Sequence, residues 1–201
     1  MASPIDVCIR GSGIVGSTLA LLLARDRLRV GLVRSPAPPA GHSDVRAYAL
    51  NAASRAVLEQ LRAGPDETHA TAVLGMEVHG DEGGEVNFRA RDEQAQALAW
   101  IVDVPPLEQQ LAEAVRYQPM VELLDAPAQA PLTVVCEGRN SATRAEFGVP
   151  FRVSSYPQQA IAARVQCERP HGQVARQWFG EGDILALLPL GGPAGNSAAL
   201  V

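Results

Sequence analysis

The N-terminal stretch of the chain reads Ile5-Asp6-Val7-Cys8-Ile9-Arg10-Gly11-Ser12-Gly13-Ile14-Val15-Gly16. Its first half is short, apolar and rich in β-branched residues, which is typical of a buried strand. Helix-forming residues follow the glycines, and a second apolar run covers residues 28–33. Strand, glycine turn, helix and strand in this order predict the first βαβ unit of a dinucleotide-binding fold.

The glycines of this turn have separate physical roles. Gly11 permits a tight turn out of the strand, and Gly16 lets the helix pack closely on the strand. Gly13 lets the backbone approach a pyrophosphate without a Cβ in the way, at the positive end of the helix. A tight turn without a ligand is the alternative. The predicted cofactor-binding residues of the turn are Gly11, Ser12, Gly13, Ile14, Val15 and Gly16.

The end of the second strand leaves the choice of dinucleotide open. An acidic residue at this place usually binds the adenosine ribose, whereas this chain has Arg34. An arginine there could accept a 2′-phosphate, which makes NADP a competitor to FAD. In the other interpretation, Arg34 is solvated and the ribose is held from elsewhere.

Composition excludes several classes of function. The chain has 201 residues, of which 47% are hydrophobic and 19% charged, and its net charge is −5. Without a block of Lys and Arg, binding to nucleic acid is not expected. Three cysteines stand far apart, so neither a disulfide framework nor a metal site is predicted. The longest apolar run, 14–24, is too short to span a bilayer, and we expect a cytoplasmic chain without a transmembrane segment.

The remaining pattern predicts an α/β fold: a Rossmann-like βαβ domain that binds FAD or NAD(P), with an antiparallel β-sheet substrate region. Residues 1–150 are assigned to the FAD-binding domain, which is discontinuous and incomplete and includes a hairpin at 76–88. Residues 151–201 are assigned to part of the substrate-domain sheet. Within these bounds we predict a loop at 35–41, helices at 48–62, 107–115 and 141–147, and strands at 132–136, 161–167, 174–179 and 184–190.

Three further segments, together with the glycine turn, resemble the FAD-dependent aromatic hydroxylases, a family that includes the ubiquinone-biosynthesis monooxygenases. Residues 44–51 are similar to the family's arginine-containing segment before a helix. Residues 134–144 look like its Asp-Gly motif, with Glu137 in place of the aspartate. Residues 156–190 resemble the ubiquinone-hydroxylase branch in particular. The resemblance implies that Arg46 lies against the flavin nucleotide, and that Glu137 and Gly138 serve FAD and NAD(P)H.

The resemblance also implies an activity: hydroxylation of an aromatic ring, as in a phenol of the ubiquinone-precursor type, using FAD, NAD(P)H and O₂. The partner is then a small aromatic substrate, and a polyprenylated one would bring peripheral contact with a membrane. No catalytic residue is assigned, and neither His171 nor any other side chain is a convincing acid or base. The oligomeric state is not predicted.

The chain departs from the family at its C-terminal side. The family's later Gly-Asp motif has no match, so we expect a truncated or incomplete member. Two alternatives to the hydroxylase follow. One is another class of FAD or NAD(P) oxidoreductase that shares the first βαβ unit. The other is a non-catalytic nucleotide-binding remnant.

Overall fold

A computed structural model describes residues 4–35 and 44–201. These residues form two compact units. The first unit contains 4–35, 60–63 and 108–156, and the second contains 44–59, 64–107 and 157–201.

The helices of the described residues are interspersed among strands up to residue 146, and strands follow from there to residue 200. The helices, in chain order, are α1 (Ile14–Arg25), α2 (Ala52–Gln60), α3 (Val104–Arg116) and α4 (Ala142–Glu146). The strands are β1 (Val7–Arg10), β2 (Val30–Val33), β3 (Ala47–Leu50), β4 (Ala70–Val73), β5 (Gly75–His79), β6 (Glu85–Arg89), β7 (Ala99–Asp103), β8 (Val121–Leu124), β9 (Leu132–Val135), β10 (Ala163–Gln166), β11 (Val174–Phe179), β12 (Ile184–Pro189) and β13 (Ser197–Leu200).

The first unit is built on a parallel sheet in the order β8-β2-β1-β9. Its central strands are apolar on both faces, as a covered parallel sheet requires, and Cys8, Ile9 and Leu32 are fully buried. Helix α1 follows β1 directly and buries Ala20 and Leu21. The predicted strand, turn, helix and strand are therefore confirmed.

The second unit contains two sheets. One has the order β10-β13-β12-β11-β5-β6 and is antiparallel except where β11 pairs with β5. The other is antiparallel, in the order β3-β7-β4. The two pack through a buried apolar cluster of Val73, Ile101, Ala175, Leu190 and Ala199. The α/β fold class with an antiparallel sheet region is confirmed.

Two details differ from the sequence prediction. Residues 48–50 lie in a strand because Tyr48 pairs with Val102 of β7, and the helix begins only after Asn51. The carboxamide of Asn51 accepts a hydrogen bond from the amide of Ser54 at 2.8 Å and caps this helix. The hairpin at 76–88 forms, but it lies in the sheet of the second unit, since β5 pairs with β11.

Besides β3, four more strands were not predicted, and each is only four or five residues long. They are β4, β7, β8 and β13. Of the predicted loop at 35–41, residues 36–41 lie outside the described residues.

Candidate functional site

The order of strands in the parallel sheet reverses between β1 and β9, and we call the space outside the carboxyl ends of these two strands the crevice. The chain runs outward from β1 through β2 to β8 and then returns to β9 on the other side of β1. Such a reversal of strand order is where open α/β sheets bind ligands. At this point the amide of Cys136 donates to the carbonyl oxygen of Arg10 at 2.7 Å. This pairing brings the glycine turn and the Glu137-Gly138 motif to the same edge of the sheet.

The turn itself is shaped by two close backbone contacts. Gly11 has a φ of +108°, and a Cβ on it would lie 2.6 Å from the carbonyl oxygen of Cys136. A Cβ on Gly16 would lie 1.8 Å from the carbonyl oxygen of Gly11. Gly13 differs, because a Cβ on it would meet no atom within 4 Å. Gly11 and Gly16 are thus required by the fold, while Gly13 leaves open space above the turn.

The N-terminus of α1 faces this open space, and neither a capping side chain nor an acidic residue in the first turn offsets its partial positive charge. Gly13 is the N-cap and supplies no side-chain hydrogen bond, and the first turn contains no acidic residue. The amides of Ile14, Val15 and Gly16 have no partner within the helix, and they carry the positive end of its dipole. Val15 is 69% exposed. Such an end fits the pyrophosphate of an adenine dinucleotide.

Ser12 ties the turn to the end of β2. Its amide donates to the hydroxyl of Ser35, and the amide of Ser35 donates to the hydroxyl of Ser12, both at 2.9 Å. The hydroxyl of Ser17 donates to the carbonyl oxygen of Ser12 at 3.0 Å. Through these hydrogen bonds Ser12 connects the turn after β1 to the residues that follow β2.

Glu137 is engaged at the start of α4. Its carboxylate accepts hydrogen bonds from the hydroxyls of Thr143 and Ser141 and from the amide of Thr143. These bonds hold the pKa of Glu137 below its ordinary value, and the bond from the Thr143 hydroxyl contributes most. The adjacent Gly138 has a φ of +73° and open space around it. Glu137 thus positions α4 beside the crevice.

Arg10 belongs to the same network and was not among the predicted site residues. Its guanidinium donates to the Thr143 hydroxyl at 3.0 Å and to the Glu146 carboxylate at 2.6 Å, and it lies over the ring of Phe147. The one signal in the sequence was an arginine between a buried strand and the first glycine. Arg10 links the end of β1 to α4.

Arg34, at the end of β2, forms an ion pair with Asp125, the residue directly after β8. The distance from the guanidinium to the Asp125 carboxylate is 2.6 Å, and the side chains are 54% and 86% exposed. Asp125 was not predicted, because only the pairing of β2 with β8 brings it to this position.

Arg46 belongs to the second unit. Its guanidinium donates to the Asp44 carboxylate at 2.6 Å and to the phenol oxygen of Tyr48 at 3.3 Å. The bond from Arg46 holds the pKa of Asp44 below its ordinary value. The carbonyl oxygen of Arg46 accepts from the amide of Val104 at 3.2 Å. Arg46 is therefore fixed just before β3.

His171 is a structural residue in this sheet region. Its Nδ1 accepts the amide hydrogen of Gln173, so the proton is on Nε2, which donates to the carbonyl oxygen of Leu190 at 3.0 Å. Both ring nitrogens are occupied, so His171 has a structural task and no free nitrogen for acid or base chemistry.

One face of the six-stranded sheet continues beyond its buried core. Met76 and Leu188 pack against that core. Two residues further along their strands, on the same face, lie Val78 and Ala186, with Val86 and Gln177 paired to them. Val86 is 53% exposed. We call this row of four residues, Val78, Val86, Gln177 and Ala186, the open row.

Within residues 4–35 and 44–201, no cluster of His, Cys, Asp and Glu could hold a metal ion. None of the helices in this part of the chain has the length and apolar character needed to cross a membrane.

Comparison with curated proteins identifies relatives along nearly the whole chain. A 3-demethoxyubiquinol 3-hydroxylase of Escherichia coli strain K12 is 29% identical, and the match covers 93% of this chain and 55% of the relative. The ubiquinone hydroxylase UbiL of Rhodospirillum rubrum is 27% identical, over 98% of this chain and 51% of the relative. The chain thus spans about half the length of these relatives. No family model matches the chain.

Solved structures share the fold. PqsL of Pseudomonas aeruginosa, crystallised with 2-aminobenzoylacetate, has a TM-score of 0.78 and 21% identity, over 98% of this chain and 60% of its own. The flavin-dependent monooxygenase PieE, in complex with FAD and substrate, has a TM-score of 0.70 and 17% identity, over 98% of this chain and 43% of its own. The flavin-dependent brominase Bmp2 has a TM-score of 0.71 and 15% identity, over 98% of this chain and 55% of its own. The chain has the fold of the FAD-dependent monooxygenases and resembles the ubiquinone-hydroxylase branch of the aromatic hydroxylases.

Proposed function

We propose that this chain binds FAD at the Gly11–Gly16 turn and serves in the hydroxylation of an aromatic ring, with NAD(P)H as reductant and O₂ as oxygen source. The observation that carries the proposal is the space above Gly13, at an uncompensated helix N-terminus in the crevice of the parallel sheet. The resemblance to named ubiquinone hydroxylases adds the reaction class.

The residues of the chain bind and orient the cofactor. The amides of Ile14, Val15 and Gly16 donate to the pyrophosphate, and Gly13 allows it to approach. Glu137 and Gly138 act at the neighbouring strand end, where Glu137 holds α4 in place through its hydroxyl partners. Arg46, fixed by Asp44, is proposed to lie against the flavin nucleotide. When bound, FAD supplies the redox and oxygen chemistry, and the protein supplies position and shielding from water.

The substrate proposed is a phenol of the ubiquinone-precursor type. The open row offers a mostly apolar surface for a flat ring, and the carboxamide of Gln177 lies in its middle as a polar group that fixes orientation. The opposite face of β11 is less suitable, because Arg176 and Glu77 already form an ion pair there at 2.8 Å. A polyprenyl tail on the substrate would bring the protein to a membrane surface.

Binding is tested first, by titrating FAD into the purified protein and recording flavin fluorescence and the visible spectrum. Saturable quenching and a yellow protein after gel filtration support the proposal, and a Gly13→Leu variant should remain colourless. A wild-type protein that stays colourless after incubation with FAD would overturn the proposal and favour another nucleotide or a different role.

Activity is tested with NADH or NADPH, a panel of phenols, and ¹⁸O₂. Incorporation of one labelled oxygen atom into the ring, detected by mass spectrometry, is the expected result. The brominase of the same fold makes halogenation the second candidate, so a parallel reaction contains bromide. A brominated product without labelled oxygen would replace the hydroxylase proposal, and FAD binding without either product would indicate a non-catalytic protein.

A further inference from the structure

We propose that Asp125, at the end of β8, supplies the carboxylate that binds the adenosine ribose hydroxyls, and that Arg34 fixes its direction. The site then accepts an unphosphorylated ribose and discriminates against a 2′-phosphate. This inference rests on the proposed binding of a dinucleotide at the glycine turn, and it names the residues that select the ribose. It explains why β2 ends in an arginine where an acid is usual.

The pair lies where the ribose of a bound dinucleotide is expected. Strands β2 and β8 are parallel, with Val33 opposite Leu124, so the residues that follow them stand side by side at the carboxyl edge of the sheet. The amide of Arg34 donates to the carbonyl oxygen of Leu124 at 2.9 Å and fixes this alignment. The next residue, Ser35, is clamped to Ser12 of the glycine turn. A ligand with its pyrophosphate on the turn therefore has its ribose close to the end of β2.

The chemistry of the pair favours a hydroxyl over a phosphate. One oxygen of the Asp125 carboxylate accepts a hydrogen bond from the guanidinium of Arg34. The second oxygen accepts no hydrogen bond from any residue that the structure describes. That oxygen is open to a ribose hydroxyl, which is a donor. A 2′-phosphate would place like charge beside Asp125 and would compete with it for Arg34. Because the pair is exposed to solvent, removal of the carboxylate leaves the guanidinium available to bind an anion.

The experiment compares ADP-ribose with 2′-phospho-ADP-ribose by isothermal titration calorimetry, because the two probes differ only in the 2′-phosphate. We expect the wild-type protein to bind ADP-ribose about tenfold more tightly, as the repulsion of a nearby like charge predicts. Asp125→Asn should reverse or abolish the preference, since Arg34 is then free for the phosphate. Arg34→Gln should keep the preference for ADP-ribose. Glu122→Gln, an exposed acid on the same strand, is the matched control and should leave the ratio unchanged.

The outcomes separate this inference from the proposed function. If the wild-type protein binds FAD but prefers the 2′-phosphorylated probe, or if Asp125→Asn keeps the wild-type ratio, the inference fails and FAD binding stands. If the protein binds neither FAD nor either probe, the dinucleotide site fails, and the inference fails with it.

Discussion

A Cβ atom on Gly16 would lie 1.8 Å from the carbonyl oxygen of Gly11. Neither partner can move away, because Gly11 is itself held against the carbonyl of Cys136 with a positive φ. We therefore expect Gly16→Ala to lower the free energy of unfolding by about 3 kcal/mol, at the upper end of overpacking effects. Urea denaturation followed by circular dichroism measures the change. An unchanged midpoint would show that the turn relaxes more easily than the contact implies.

The Gly13→Ala substitution should instead separate binding from folding. The new methyl group meets no protein atom, and the φ of −71° suits alanine. The free energy of unfolding should fall by less than about 1 kcal/mol, the usual cost of alanine at an N-cap. FAD affinity should fall by about tenfold or more, because the methyl group fills the space through which the pyrophosphate approaches.

Gly84→Ala is the matched control for this substitution. A Cβ on Gly84, in the loop between β5 and β6, also meets no atom within 4 Å. Its FAD affinity should equal that of the wild type. Full FAD affinity in Gly13→Ala would contradict the assignment of the turn as the pyrophosphate site.

The carboxylate of Glu137 should make stability depend on pH. Hydrogen bonds from Thr143 and Ser141 lower its pKa in the folded state below the ordinary value of 4.5. A lowered pKa means that the charged form stabilises the fold above the unfolded-state pKa and that this contribution is lost as the pH falls through the folded-state pKa. The difference in urea midpoint between wild type and Glu137→Gln should therefore be largest near neutral pH and should shrink as the pH falls below 4.5. A difference that is constant with pH would contradict this account.

Thr143 connects the two charged groups beside the crevice, and it is 3% exposed. Its hydroxyl donates to Glu137 and accepts from Arg10. Thr143→Val keeps the shape and removes both bonds, so we expect a loss of about 1–3 kcal/mol in the free energy of unfolding. Thr143→Ser keeps the hydroxyl and should lose less. A larger loss in Thr143→Ser than in Thr143→Val would show that packing of the methyl group contributes more to stability than the two hydrogen bonds of the hydroxyl.

The glycine turn was predictable from sequence because its causes are local. Strand propensity, the spacing of three glycines and a helix that starts at once all act within residues 5–25. The capping role of Asn51 was local too, although the residues before it form a strand through pairing with distant β7.

The rest of the site depends on contacts between distant segments. Arg34 and Asp125 are 91 positions apart, and Arg10 and Thr143 are 133 apart. No pattern within one element indicates such pairs, because they follow from the order of strands in the sheet. The pairing of the hairpin at 76–88 with β11 was not predictable for the same reason, since β11 follows much later in the chain.

The open row gives a test of substrate placement that does not disturb the cofactor site. Ala186→Phe adds a ring on the face proposed for the phenol, whereas Leu185→Phe adds bulk on the opposite face, next to Trp178. If the phenol lies on the open row, Ala186→Phe should raise KM for the phenol by about tenfold, because the new ring occupies the space the substrate needs. FAD affinity should be unchanged in both variants. A rise in KM for Leu185→Phe, with none for Ala186→Phe, would move the substrate to the face that carries Arg176.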